Sequence, residues 1–160
     1  MRVIIISSSK VGNTLRKEED MDRADIAVIG TGPAGISAAI NARIRRKSFL
    51  LFGSSKLSAK IESSEQIVNY PAIDAISGPQ LNERFREQLV KLEIPIIDER
   101  TTGIYKMENY YLIMADQKQY EASTVIIATG VETVRALPGE RKMLGRGVSY
   151  CATCDGRLYE

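Results

Sequence analysis

The stretch of sequence that decides the fold is "DIAVIGTGPAGISAAINARIRRKSFLLFG", residues 25–53. It begins with a short apolar run ending in a glycine, which is typical of a strand buried on both faces of a parallel sheet. The small side chains of Ala38, Ala39 and Ala42 would let the following helix lie close to that sheet. A second apolar run, "SFLLFG", completes a strand-helix-strand unit, so we expect an α/β fold.

Three glycines, Gly30, Gly32 and Gly35, form a G-x-G-x-x-G motif where the first strand meets the helix. The first glycine permits the tight turn, the second lets a pyrophosphate approach the backbone, and the third lets helix and strand pack closely. The pyrophosphate would lie at the start of the helix, where free N–H groups and the helix dipole favour an anion. The motif therefore predicts a dinucleotide-binding site.

The residues after the second strand do not decide which dinucleotide binds. An acid about twenty residues beyond the glycine motif ordinarily binds the ribose of NAD. Here "FGSSK" contains none, and the first acid is Glu62. This departure weakens an ordinary NAD interpretation. Because Ser54, Ser55 and Lys56 could contact a sugar or a phosphate instead, the motif alone leaves FAD and NADP open.

The middle of the chain predicts a helix followed by an antiparallel meander. In "SGPQLNERFREQLVKL", residues 77–92, Ser77 is a candidate N-cap and the apolar residues recur at helical spacing. "IPIIDE" predicts a third short strand. The runs "GIYKM", "YYLIMA" and "YEASTVIIATG", separated by turns, predict a meander that ends in a buried strand at 124–128. One sheet would thus combine helical and meander crossovers.

The composition and net charge of the chain exclude several classes of function. The chain has 160 residues, 44% hydrophobic and 26% charged, which suits one globular domain. A net charge of +2 argues against a surface that binds nucleic acid or membranes. The sequence shows neither a membrane span nor a signal peptide, so we expect a cytoplasmic protein. The absence of histidine excludes Ser-His and Cys-His catalytic pairs. We interpret the densest basic cluster as helix-end charges: Arg43, Arg45, Arg46 and Lys47.

The segment "SYCATCDGRLYE", residues 149–160, contains both cysteines, Cys151 and Cys154. A structural zinc site needs four ligands, so carboxylates or a second chain would have to complete it, and we expect no metal. The close spacing suits a disulfide that forms and breaks for electron relay, and we favour this over zinc or incidental cysteines. Asp155 is the best candidate acid-base group, with a surface N-cap carboxylate as the alternative.

Taken together, "DIAVIGTGPAGISAAINA", "VNYPAIDAISGPQL", "VIIATG", "LPGE" and "GVSYCATCDG" resemble the low-molecular-weight flavin-dependent thioredoxin reductases, a class of pyridine nucleotide-disulfide oxidoreductases. The resemblance implies a thioredoxin-disulfide reductase with a Rossmann-like FAD-binding domain. It implies that Cys154 exchanges electrons with the flavin, that Cys151 attacks the disulfide of thioredoxin, and that Asp155 is the acid-base residue. The resemblance assigns the following residues to FAD: Gly30, Gly32, Pro33, Ala34, Gly35, Gly53, Ser54, Asn69, Thr129 and Gly130.

The same resemblance bears on the electron donor and the oligomer. The loop "FGSSKLSAKIE" lacks the glycine-glutamine run common in the family, and it is closer to the clostridial-type, ferredoxin-dependent members. In that subgroup electrons come from reduced ferredoxin rather than NADPH, and the sequence leaves the donor undecided. The expected partners are thioredoxin, ferredoxin as the alternative donor, and a second copy in a homodimer.

The family pattern also predicts the domain boundaries. We expect residues 24–160 to be the first segment of the FAD-binding domain, without the nucleotide domain and the C-terminal flavin segment, so the fold would be incomplete. Residues 1–23 form a prefix of uncertain role. Its start, "MRVIIISSSKVGNT", resembles the first strand and phosphate loop of flavodoxin-like FMN proteins, but a poorly ordered tail or an upstream start is the preferred interpretation.

Two alternative functions remain open at this point. The chain could be a truncated, non-catalytic dinucleotide-binding fragment that needs a missing half. It could also be the core of the flavoprotein component of alkyl hydroperoxide reductase, which carries a similar dithiol. That component has a large N-terminal thiol domain, for which residues 1–23 are too short, so we rank it below the reductase.

Overall fold

A computed structural model describes residues 4–7, 23–131, 138–143 and 146–148, with only the backbone described for residues 4–7. The strands are β1 (Ile4–Ser7), β2 (Ala24–Ile29), β3 (Phe49–Phe52), β4 (Thr101–Lys106), β5 (Tyr111–Ala115) and β6 (Lys118–Ile127). The helices are α1 (Pro33–Ile44), α2 (Ala59–Glu62), α3 (Gly78–Lys91) and α4 (Glu140–Met143). The predicted strand-helix-strand unit is present as β2, α1 and β3.

The strands form one mixed sheet in the order β3-β2-β6-β5-β4. Strand β2 pairs in parallel with both β3 and β6, whereas β4, β5 and β6 form an antiparallel meander. Strand β6 belongs to both parts, since residues 118–122 pair with β5 and residues 122–127 pair with β2. This combination confirms the predicted Rossmann-like fold with a meander crossover.

Two apolar clusters bury the sheet. In one, α1 and α3 contribute Ile36, Ala39 and the predicted stripe Leu81, Phe85 and Leu89, which pack with Val28 and Leu51 of the sheet. The other contains meander residues such as Tyr111 and Ile113 together with Phe52.

Ser77 caps α3 as predicted, and it forms a capping box with Gln80. No helix in the described part of the chain is long and apolar enough to cross a membrane.

Two expectations about strands were wrong. The segment "IPIIDE" does not form the predicted third strand. It makes one parallel bridge, between Ile97 and Phe52, and this is too few backbone hydrogen bonds to add a strand to the sheet. In the prefix, residues 4–7 are not a tail but strand β1, which pairs antiparallel with residues 124–127 of β6. Residues 1–3 and 8–22 of the prefix, including "SSKVGNT" with its resemblance to an FMN phosphate loop, lie outside the described residues.

Candidate dinucleotide-binding site

The parallel strands bring most of the predicted binding residues to one edge of the sheet. Strands β2, β3 and β6 run in the same direction, so the residues that follow them, Gly30, Gly53 and Thr129, meet at their carboxyl ends. The N–H of Gly30 donates to Phe52 O at 2.7 Å, and the N–H of Ala128 donates to Ile29 O at 2.8 Å. In open α/β sheets ligands bind at this edge.

The turn between β2 and α1 is packed too closely for side chains at two of its glycines. Gly30 has a φ of +116°, and a Cβ there would lie 2.4 Å from Ala128 O. A Cβ on Gly35 would lie 1.8 Å from the carbonyl oxygen of Gly30. The first turn of α1 therefore lies directly against the turn, which is the packing expected of the first and third glycines of the motif.

The second glycine faces open space, and this is where a dinucleotide would approach. A Cβ on Gly32 would meet no atom of the described residues within 4 Å. Gly32 is also the N-cap of α1, and no side chain in the part of the chain that the structure describes caps this helix; Pro33 follows at its start. The first N–H groups of a helix have no acceptor within the helix. An uncapped, accessible helix start fits the pyrophosphate of a dinucleotide.

The loop after β3 is held against the glycine turn. The buried hydroxyl of Thr31 donates to Ser54 O at 2.9 Å. Ser54 in turn organises its own loop, because the N–H of Lys56 donates to Ser54 Oγ at 3.1 Å and that of Leu57 donates to Ser54 O at 2.9 Å. The predicted residues Gly53 and Ser54 are thus fixed beside Gly30 and Gly32.

A carboxylate that the sequence analysis did not single out lies at this loop. The N–H of Ser55 donates to Asp98 Oδ2 at 3.1 Å, and the Ser55 hydroxyl also donates to Oδ2. Both hydrogen bonds lower the pKa of Asp98, and the bond from the Ser55 hydroxyl has the larger effect. Asp98 reaches this edge because Gly53 N–H donates to Ile97 O and Ile97 N–H donates to Leu51 O. The available signal was an acid inside the segment "IPIIDE", near the end of the predicted third strand.

The neighbouring acid, Glu99, joins this segment to the meander. It accepts from Lys118 Nζ at 2.7 Å and from the Tyr120 hydroxyl at 3.0 Å. The Lys118 bond is the main cause that lowers the pKa of Glu99, whereas burial raises the pKa of Tyr120. Tyr120 meets Phe52 edge to face, with ring centroids 5.0 Å apart. These contacts are structural, because Glu99 already has two partners within the fold.

The remaining predicted site residues fall into four groups. Pro33 and Ala34 lie half-buried in the first turn of α1, and Thr129 and Gly130 are exposed after β6. Asn69 is exposed between α2 and α3, and no hydrogen bond among the described residues joins it to the glycine turn. The described part of the chain contains no cluster of acids, cysteines and histidines that could hold a metal. Outside the described residues lie Cys151, Cys154 and Asp155.

The basic cluster lies at the opposite end of α1. Arg46 has a φ of +56°, and backbone bonds from Arg46 N to Arg43 O and from Lys47 N to Ala42 O close a Schellman motif. Arg43 also donates to Leu92 O at 2.8 Å and pairs with Glu93 at 2.9 Å. The cluster is thus at a helix end, as predicted, although backbone groups rather than side chains satisfy the last carbonyls.

Comparison with known proteins supports the resemblance drawn from the motifs. Residues 24–159 match the family described as pyridine nucleotide-disulphide oxidoreductase. A thioredoxin reductase of Bacillus subtilis is 34% identical over 137 residues, 85% of this chain and 43% of that protein. One from Peptoclostridium litorale is 36% identical over 139 residues, 85% of this chain and 44% of that protein.

Solved structures give the same result. A ferredoxin-flavin thioredoxin reductase from Clostridium acetobutylicum has 51% identity and a TM-score of 0.69, over 88% of this chain and 49% of that chain. The thioredoxin reductase from Streptococcus pyogenes has 37% identity and a TM-score of 0.74, over 85% of this chain and 45% of that chain. The chain thus spans about half the length of these relatives.

Proposed function

This chain belongs to the pyridine nucleotide-disulphide oxidoreductase family, and we propose that it binds FAD as the first part of a thioredoxin reductase. The observation that carries the proposal is the uncapped start of α1 at Gly32, which is open to a pyrophosphate at the carboxyl edge of the sheet. The family match and the 51% identity to a ferredoxin-flavin thioredoxin reductase support a flavin nucleotide, FAD, over NADP at this turn.

The binding site is proposed to use three segments. The N–H groups of Gly32 and Ala34 and the dipole of α1 would hold the pyrophosphate, and Pro33, which has no N–H, would fix the first turn of the helix. The loop at Gly53 and Ser54 would contact the sugar. Asn69, Thr129 and Gly130 are proposed to contact other parts of FAD, and Gly30 and Gly35 would shape the turn.

The redox step is proposed to use the cysteine pair. FAD, when bound, would supply the electron pair that reduces the Cys151–Cys154 disulfide to two thiols. The Cys151 thiolate then attacks one sulfur of the thioredoxin disulfide, and the second thioredoxin sulfur leaves as a thiolate that takes up a proton. The Cys154 thiolate attacks the resulting mixed disulfide, which restores the Cys151–Cys154 disulfide and releases reduced thioredoxin. Asp155 is proposed to carry the protons.

The electron donor is proposed to be reduced ferredoxin. The support is the 51% identity to a protein that is described as a ferredoxin-flavin thioredoxin reductase, together with the loop after β3. NADPH is the alternative donor. We also propose that two chains associate as a homodimer in the cytoplasm.

An anaerobic titration tests the proposed function. The complete reading frame, loaded with FAD, is titrated separately with reduced ferredoxin and with NADPH while flavin absorbance and reduction of oxidised thioredoxin are followed. We expect ferredoxin to bleach the flavin and thioredoxin to be reduced, and a Cys151→Ser variant to bleach without reducing thioredoxin. Bleaching by neither donor would refute the reductase proposal.

A further inference from the structure

The most informative unassigned group is Asp98, which lies beside the loop where a ribose acid is expected but absent. In dinucleotide-binding folds a carboxylate at the end of the second strand binds the ribose hydroxyls. Here β3 is followed by Gly53, Ser54 and Ser55, and no acid comes until Glu62. Asp98 belongs to a different segment, which the Phe52–Ile97 bridge lays alongside the end of β3.

The Asp98 carboxylate is fixed through one oxygen only. Both bonds from Ser55, one from its N–H at 3.1 Å and one from its hydroxyl, go to Oδ2. Among the described residues, no hydrogen bond reaches Oδ1. Asp98 and Ser55 are both exposed, so a ligand can reach this carboxylate. The result is an oriented acceptor with one oxygen still available to a donor.

Resting on the proposed FAD site, we propose that Asp98 accepts a hydrogen bond from the ribose of the adenosine half, in place of the missing acid after β3. A carboxylate accepts from hydroxyl donors and repels a phosphate. The site is therefore selective for an adenosine whose ribose is not phosphorylated. Ser55 is a positioning residue that acts through Asp98.

The chain offers a matched control at the other end of the same strands. Asp25 Oδ2 accepts from the N–H of Ser48 at 3.0 Å and from its hydroxyl at 3.1 Å, as Asp98 Oδ2 does from Ser55, and the Asp25 N–H also donates to Ser48 Oγ at 2.9 Å. Asp25 lies near the start of β2, about 16 Å from the glycine turn at the rise of an extended strand. An Asp25→Asn variant thus makes the same charge change on the same kind of pair, away from the ligand.

The test measures FAD affinity by flavin fluorescence, and the inhibition constants of ADP, 2′-deoxy-ADP, 3′-deoxy-ADP and 2′-phospho-ADP as competitors. We expect Asp98→Asn to weaken FAD about 10-fold and Ser55→Ala to weaken it less, whereas Asp25→Asn leaves it unchanged. Wild type should prefer ADP to one of the deoxy analogues and to 2′-phospho-ADP. Asp98→Ala should lose that preference.

The outcomes separate this proposal from the function on which it rests. If the wild-type chain binds neither FAD nor ADP, the FAD site itself is refuted. If wild type binds FAD but Asp98→Ala keeps the same affinity and the same preference for ribose, the role of Asp98 is refuted. Equal weakening of ADP and both deoxy analogues by Asp98→Ala would also refute it, because that pattern indicates a purely structural loss.

Discussion

Replacing Gly35 with alanine should destabilise the chain, although alanine is the better helix former. The new Cβ would lie 1.8 Å from Gly30 O, about 1.2 Å short of the 3.0 Å that real Cβ atoms keep. Neither the new Cβ nor Gly30 O is at the end of a flexible side chain that could move aside. Helix α1 would therefore have to move away from the turn. Overpacking of this kind costs about 3 kcal/mol, and helix propensity returns about 1 kcal/mol. We expect a net loss of about 2 kcal/mol.

Urea unfolding followed by circular dichroism measures this loss, and the melting temperature should fall by about 4–8 °C. Gly32→Ala is the matched control, because a Cβ there meets none of the described residues within 4 Å and the residue has an ordinary φ of −80°. It should cost less than about 1 kcal/mol, the effect of alanine at an N-cap. A Gly35→Ala chain as stable as wild type would refute the close packing of the turn.

Three further substitutions test the scaffold. Arg46→Gly should stabilise the chain by about 0.5–1 kcal/mol in urea unfolding, because Arg46 has a φ of +56°, and lower stability than wild type would contradict this. Ser77→Ala should lower the free energy of unfolding by about 1 kcal/mol, because the capping box is lost. Ser37→Ala, on the exposed face of α1, is the control and should not lower it. Equal effects of the two substitutions would refute the role of the cap. The pKa of Glu99 is lowered on folding, so its contribution is present above the ordinary value of 4.5 and is lost as the pH falls through the lowered value. Glu99→Gln should therefore flatten the acid side of a stability-pH curve, and an unchanged slope would contradict the Lys118 pair.

The parts of the fold that depend on local patterns could be predicted from the sequence. The apolar run before Gly30, the spacing of Leu81, Phe85 and Leu89, and the turns of the meander each reflect one element and its immediate neighbours. The cap at Ser77 was predicted for the same reason, since a hydroxyl before an apolar stripe needs no long-range contact to act. These features therefore appear where the sequence indicated.

Long-range pairing is what the sequence could not supply. Strand β1 has only four residues, and its partner lies about 120 positions away, so no local pattern indicated that it pairs with β6. The segment at Ile97 has a strand-like sequence, yet it makes one bridge to β3 and does not continue the sheet, so β3 is the edge strand on this side. Asp98 was missed for the same reason, since its relation to Ser55 exists only once α3 has returned the chain to the sheet edge.

The most direct test of the FAD site is an equilibrium titration of the purified chain with FAD, beside the Gly32→Ala variant. We expect one FAD per wild-type chain. We also expect at least about 10-fold weaker binding by Gly32→Ala at nearly unchanged stability, because the added methyl group occupies the open approach to the start of α1. Wild-type chain that binds no FAD, or a variant that binds FAD as tightly as wild type, would contradict the proposed FAD site.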